Sequence, residues 1–256
     1  MRRHPLTGSL LALALAVIPI PAQAQEGFLF GPPGGSLSVR MGQARPTTNG
    51  ELFESLREFL TIGQNDFASE LFAADLLIRA HDRLDVGLSL AWSKGRAESI
   101  DKEFFKDLDT NGDTIFIEQT TTLRRMPLMV SARFYPLSRG ESVGDYAWIP
   151  ARLSPFIGAG GGAMLYKLVH GGEFVGRTPP PAEGEGYPIF DDEYETSGAG
   201  YAAHVSAGLD YWLGPRVGLT GEGRYVWAQA TPESSFSFSK IDLSGFQATA
   251  GLSFRF

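Results

Sequence analysis

The end of the chain carries the most sharply two-faced segment in the sequence. From Phe246 to Phe256 one set of alternate positions is wholly apolar (Phe246, Ala248, Ala250, Leu252, Phe254, Phe256), and the other holds Gln247, Thr249, Gly251, Ser253 and Arg255. Successive side chains of a strand point to opposite faces, so as a strand this segment presents a continuous apolar surface. Its length suits a tilted strand crossing a bilayer, which needs about 9–11 residues.

The N-terminus points the same way. Arg2, Arg3 and His4 precede an apolar run from Leu10 to Ile18 and then Ala22-Gln23-Ala24, the pattern of a signal peptide cleaved after Ala24. The expected organisation is a leader over residues 1–24 and one domain over residues 25–256. No later run is long and apolar enough for a membrane helix, which leaves strands to do any spanning. The 22 Lys and Arg against 29 Asp and Glu give a net charge of −7, which argues against nucleic acid as a partner. With no cysteine there is neither a disulfide framework nor a thiolate for catalysis or metal binding.

Period-two alternation recurs along the chain and predicts eight strands. Leu37, Val39 and Met41 share a face in the first, and Phe72, Ala74, Leu76 and Ile78 in the second. In the third, Leu84, Val86, Leu88, Leu90 and Trp92 oppose Asp85, Gly87, Ser89, Ala91 and Ser93. A slip of one residue would exchange those faces, so register there is strongly written. The fourth strand places Met126, Leu128, Val130, Ala132 and Phe134 outward. The fifth is glycine-rich, with Ile157, Ala159, Ala163 and Leu165 as its expected outer face. The sixth alternates from Tyr201 to Tyr211, the seventh from Val217 to Trp227, and the terminal strand is the eighth.

A soluble sandwich or barrel shows the same alternation, so connection lengths decide. Those after strands two, four and six are shorter, and the others are longer and polar. This asymmetry is that of membrane barrels, which have short periplasmic turns and long external loops. Trp92, Phe134, Tyr201, Tyr211, Tyr225, Trp227 and Phe256 fall where interfacial aromatic girdles belong. The terminal segment resembles the C-terminal assembly signal of bacterial outer-membrane barrels, through Thr249, Gly251, Phe254 and Phe256. The chain as a whole resembles the eight-stranded OmpA, OmpX and OmpW type. That resemblance implies an all-β, closed, antiparallel, monomeric barrel in the outer membrane. The barrel-assembly machinery would be its partner during insertion, and membrane lipids and lipopolysaccharide its partners thereafter.

Eight strands enclose a space about wide enough for side chains to fill. Arg40, Asp75, Arg79, Asp85, Arg125, Arg133, His204, Asp210, Glu222, Arg224 and Arg255 fall on the inner face. Arg79, Asp85, Arg133, Asp210 and Arg255 lie toward the turn end, where an ion-paired plug is expected. Mutual neutralisation is favoured over a gated ion path, because an unpaired charge in such a lumen is costly.

Four local motifs bear on chemistry. Asp107, Asp109, Asn111, Gly112, Asp113 and Glu118 fit the spacing of a calcium loop, making Ca2+ the one candidate cofactor. No exiting helix follows, so a hairpin turn on Asn111-Gly112 is the favoured reading. Thr48 and Glu51 have capping-box spacing, with Leu52, Leu56, Phe59 and Leu60 behind them, predicting a short amphipathic helix that covers the barrel mouth, lies on the membrane surface or packs against neighbouring loops, the last being favoured. The Pro-, Gly- and acid-rich stretch from Val169 to Ser197 is expected to be a solvated loop. Finally, His204, Ser206 and Glu222 are similar to the His-x-Ser and Glu arrangement of outer-membrane lipid A deacylases. Ala207 departs from that pattern, and the residues point into the lumen.

The sequence therefore predicts a non-enzymatic structural barrel with a plugged lumen and external loops for envelope or surface contacts. A conduit for small hydrophobic molecules is the second reading, with Gly158–Gly162 as the place for a lateral opening.

Overall fold

The computed structural model describes residues 28–108, 114–144, 147–176, 187–232 and 240–256. The leader expected over residues 1–24 lies outside them.

Eight long antiparallel strands form one ring: β1 (Gly35–Pro46), β2 (Ser69–His81), β3 (Leu84–Leu108), β4 (Thr114–Phe134), β5 (Leu153–Val175), β6 (Ile189–Trp212), β7 (Val217–Ala230) and β8 (Gly245–Arg255). Each pairs with its neighbours in sequence, and β8 pairs back onto β1 from Ser36 opposite Arg255 to Pro46 opposite Gly245. The seam is tied at its end, where the Gly34 amide donates to the Phe256 carbonyl at 2.7 Å and the Phe256 amide donates to Gly35 at 3.1 Å. A β-carbon on Gly35 would lie 2.5 Å from the Leu77 carbonyl oxygen and 2.8 Å from the Phe256 ring, so only glycine lets the strands approach here.

Burial is inverted relative to a water-soluble protein. Val39, Leu88, Val130 and Ile157 are each more than half exposed, whereas Arg40, Asp75 and Arg133 are between 2% and 4% exposed. Apolar atoms outside and charges within is the arrangement a hydrocarbon solvent selects. The outward set includes Ile157, Ala159 and Leu165, so the glycine-rich β5 faces as its alternation indicates.

One sequence expectation changes above the belt. In the stretch from Val169 to Ser197, expected to be a solvated loop, β5 and β6 remain paired up to Val175 opposite Ile189; residues 177–186 lie outside the described residues. Likewise β3 and β4 continue to Leu108 opposite Thr114. On the long side, much of the length therefore lies in strands that outrun the apolar belt. At the opposite end Asp82 and Arg83 join β2 to β3. The turn between β4 and β5 carries a small hairpin, Gly140–Val143 with Ala147–Pro150.

Leu88 sits at the middle of the outward apolar run of β3. Leu88→Arg is expected to lower the stability of the vesicle-inserted barrel by about 2–4 kcal/mol, read as a lower urea midpoint. An unchanged midpoint would place Leu88 in water.

Candidate functional site

Five inward side chains meet at the depth of the apolar belt: Arg40 on β1, Asp75 on β2, Arg133 on β4, and Glu222 and Arg224 on β7. Arg40 and Arg133 both hydrogen-bond Asp75. Glu222 takes Arg40 at 2.7 Å and Arg133 at 2.8 Å on one oxygen, and Arg224 at 2.7 Å on the other. Arg224 also donates to Ser89 at 2.8 Å, and Arg40 to Thr249 at 3.3 Å. The Arg133 guanidinium lies 4.3 Å from the centre of the Phe156 ring. Three cations and two anions leave one surplus positive charge. Such a group is tolerable in a low-dielectric lumen only because each member has a partner.

A second tier closes the turn end, and it differs from the plug expected there. Arg133 belongs to the central cluster instead. Arg79 lies at the rim and donates to the exposed Asp82 at 2.8 Å, holding that carboxyl below its usual range. Asp85 pairs with Arg139 at 2.6 Å. Asp210 accepts from the Tyr135 hydroxyl at 3.3 Å, and Arg255 stacks on Trp212 at 3.4 Å. Arg139 comes from the β4–β5 turn, where alternation gives no facing, and sequence reasoning missed it.

Above the cluster the inner wall carries an apolar patch, with Leu123, Met129, Met164, Leu168 and Val226 all buried, beside the buried polar side chains Arg125, Thr121 and His170. Helix α1 (Glu51–Phe59) stops this mouth with Leu52 and Phe53, and the Phe53 ring meets Phe67 edge-on at 5.5 Å. Of the three seats the sequence leaves open, the helix takes the mouth rather than the favoured packing on loops, because apolar wall residues open to water need an apolar cover. The capping box does not form at its start: Gly50 is the N-cap at φ 98°, with no side-chain cap bond, and Arg57 donates to the Thr48 carbonyl at 2.9 Å.

The remaining candidates separate. Arg125 donates to the Leu243 carbonyl at 3.1 Å, above the cluster. Nδ1 of His204 lies 3.0 Å from the Met129 sulfur, and Glu222 is held by three arginines, so His204, Ser206 and Glu222 do not assemble as a deacylase triad. Of the candidate calcium loop, residues 109–113 lie outside the described residues. Its flanks, from Asp107 to Leu108 and from Thr114 to Glu118, are paired strands, as in a hairpin. Among the described residues no cluster of metal-ligating side chains occurs. Pairing through Gly158–Gly162 is unbroken on both sides, so no lateral opening lies there. The ring parts higher up, where β6 and β7 cease to pair beyond Tyr201 opposite Gln229.

A closed eight-stranded ring with an apolar girth, a charged interior and short turns at the end where the strand seam is tied defines a transmembrane β-barrel of the outer-membrane type. No family model and no curated protein matches the chain. Among solved structures it is similar to the outer membrane protein OprG from Pseudomonas aeruginosa (10% identity, TM-score 0.43, covering 89% of this chain and 99% of that one). It is also similar to Neisserial surface protein A (11%, TM-score 0.40, 87% and 97%) and to outer membrane protein AlkL (16%, TM-score 0.40, 92% and 94%). The class rests on this chain's own ladder, belt and turns.

Asp75→Asn leaves three guanidiniums facing one carboxylate and is expected to cost about 3–5 kcal/mol. Arg224→Met removes the surplus charge and is expected to cost less. Urea unfolding of both variants in vesicles checks the order, which equal losses would contradict.

Proposed function

We propose that this protein is a non-conducting, non-enzymatic barrel that acts at the cell surface, its lumen shut and its outer hairpins offered to envelope components or other surfaces. The observation that supports this is the cluster of Arg40, Asp75, Arg133, Glu222 and Arg224, which spans the lumen at mid-depth from β1, β2, β4 and β7. The parts available to other molecules are β3 beyond Trp92, β5 beyond Leu165, their partners β4 and β6, and α1. Insertion would depend on the assembly machinery reading Thr249, Gly251, Phe254 and Phe256, with the barrel working as a monomer. Calcium at Asp107, Asp109, Asn111, Asp113 and Glu118 would stiffen the β3–β4 hairpin, which isothermal titration tests.

A second reading has its own support. Around the last pair of β6 and β7, Tyr201 and Gln229, lies a groove of about 870 Å3 lined by Gly162, Ala163, Ala199, Gly200, Tyr201, Ala202, Gln229, Ala230 and Thr231. Small apolar molecules could pass sideways there, above the charges.

In planar bilayers the protein is expected to show no unit conductance, and stable open levels would contradict a shut lumen. Uptake of hydrophobic dyes by expressing cells, at a rate equal to that of deleted cells, is the matching expectation. Faster uptake would favour the lateral route.

A further inference from the structure

Directly above the apolar belt the outer face of three adjacent strands carries a row of cations. Lys94 on β3 lies opposite Arg124 on β4, and Arg124 lies opposite Lys167 on β5. One step below them on the same face are Trp92, Met126 and Leu165, which end the belt, so the row stands at headgroup depth on the long-hairpin side. On the adjacent β2, Glu70 follows Leu71, which lies opposite Ser93, and so neighbours Lys94 at the edge of the row; farther round the ring the corresponding positions include Gln43 and Gln229. Lys167 pairs with Glu195 at 2.5 Å, but among the described residues neither Lys94 nor Arg124 has an ion-pair partner. Like charges directly opposite each other destabilise a sheet, and an anion between them would relieve that repulsion.

A second feature lies beneath the row. Below Leu165, β5 presents Ala163, Gly161 and Ala159 to the outside, between the bulkier Leu128 and Val130 of β4 and Tyr201 and Val205 of β6. The result is a shallow trough running down the lipid-facing wall, which widens onto β6 where Ala203 lies opposite Gly161 and onto β4 where Ala132 lies opposite Ala159. At Gly161 an added β-carbon would meet only the Ala202 carbonyl oxygen, at 3.5 Å.

We propose that Lys94, Arg124 and Lys167 bind the phosphate of a phosphorylated glycolipid of the outer leaflet, whose acyl chain lies in the Ala159–Gly161–Ala163 trough. Phosphate is the anion present at that depth, and lysine and arginine are its usual ligands through charge-assisted bonds. This inference rests on the outer-membrane reading above and gives it a preferred lipid and a preferred side of the barrel.

The test uses protein extracted from outer membranes into dodecyl maltoside and delipidated. It is titrated with diphosphorylated lipid A, with the same lipid stripped of phosphate, and with inorganic phosphate alone, and bound species are counted by native mass spectrometry. The double variant Lys94→Gln/Arg124→Gln is expected to weaken lipid A binding about thirtyfold, for two cations near a charged surface. Removing the lipid's phosphates should weaken binding to a similar degree. Gly161→Leu, which fills the trough without touching a charge, should weaken it several-fold. Equal binding of stripped and intact lipid, equal binding by the double variant, or saturation by inorganic phosphate at the same concentration would each overturn the proposal. Heat-dependent gel mobility of each variant shows that the barrel is folded. Loss of that mobility change in the unaltered protein would instead count against the barrel itself.

Discussion

Every backbone amide and carbonyl within hydrocarbon must find its partner inside the protein, and the rest of the structure follows from that requirement. A sheet with an edge cannot meet it, so β8 returns to β1, tied where Phe256 bonds to Gly34 and Gly35. Once the ring is closed, each strand has one face in lipid and one in a narrow lumen. The alternation of apolar and polar side chains is the record of that division.

The lumen resolves into three levels, each set by what its neighbours leave exposed. At the turn end Asp85 and Arg139 pair and Arg255 covers Trp212. At mid-depth five charges share partners around Asp75 and Glu222. Towards the outer mouth the walls carry an apolar patch, and α1 packs Leu52 and Phe53 against it. Charge at mid-depth and grease at the mouth are distinct barriers, one to apolar solutes and one to ions. Together they make an axial channel a poor account of the molecule and direct attention to its outer surfaces.

The strands were legible because a period of two survives wherever one face meets lipid. Even β5, with glycine at positions 158, 160, 161 and 162, faced as Ile157 and Leu165 indicated. Above the belt both faces turn polar, the pattern fades, and the continuation of β5 and β6 past Leu168 looked like a loop. Charged lumen residues were legible as a set but not in their pairings. Arg133 reaches Asp75 across the lumen from a strand two places away, and strand stagger in the closed ring, which sequence does not display, fixes that meeting. Arg139 lay in a turn, with no alternation to betray it. The helix was legible from Leu52, Leu56, Phe59 and Leu60, whereas its seat was left open among mouth, membrane surface and loops, because that choice depends on apolar wall residues from separate strands.

Which set of side chains touches hydrocarbon is the central matter, and methyl-to-acyl-chain nuclear Overhauser effects in lipid bicelles measure it directly. The account predicts contacts from Val39, Leu76, Leu88, Val130, Ile157, Val205 and Leu219, and none from Leu71, Leu77, Leu123 or Val226. Acyl contacts from the second group with silence from the first would mean that the barrel is inside out, and would contradict the account.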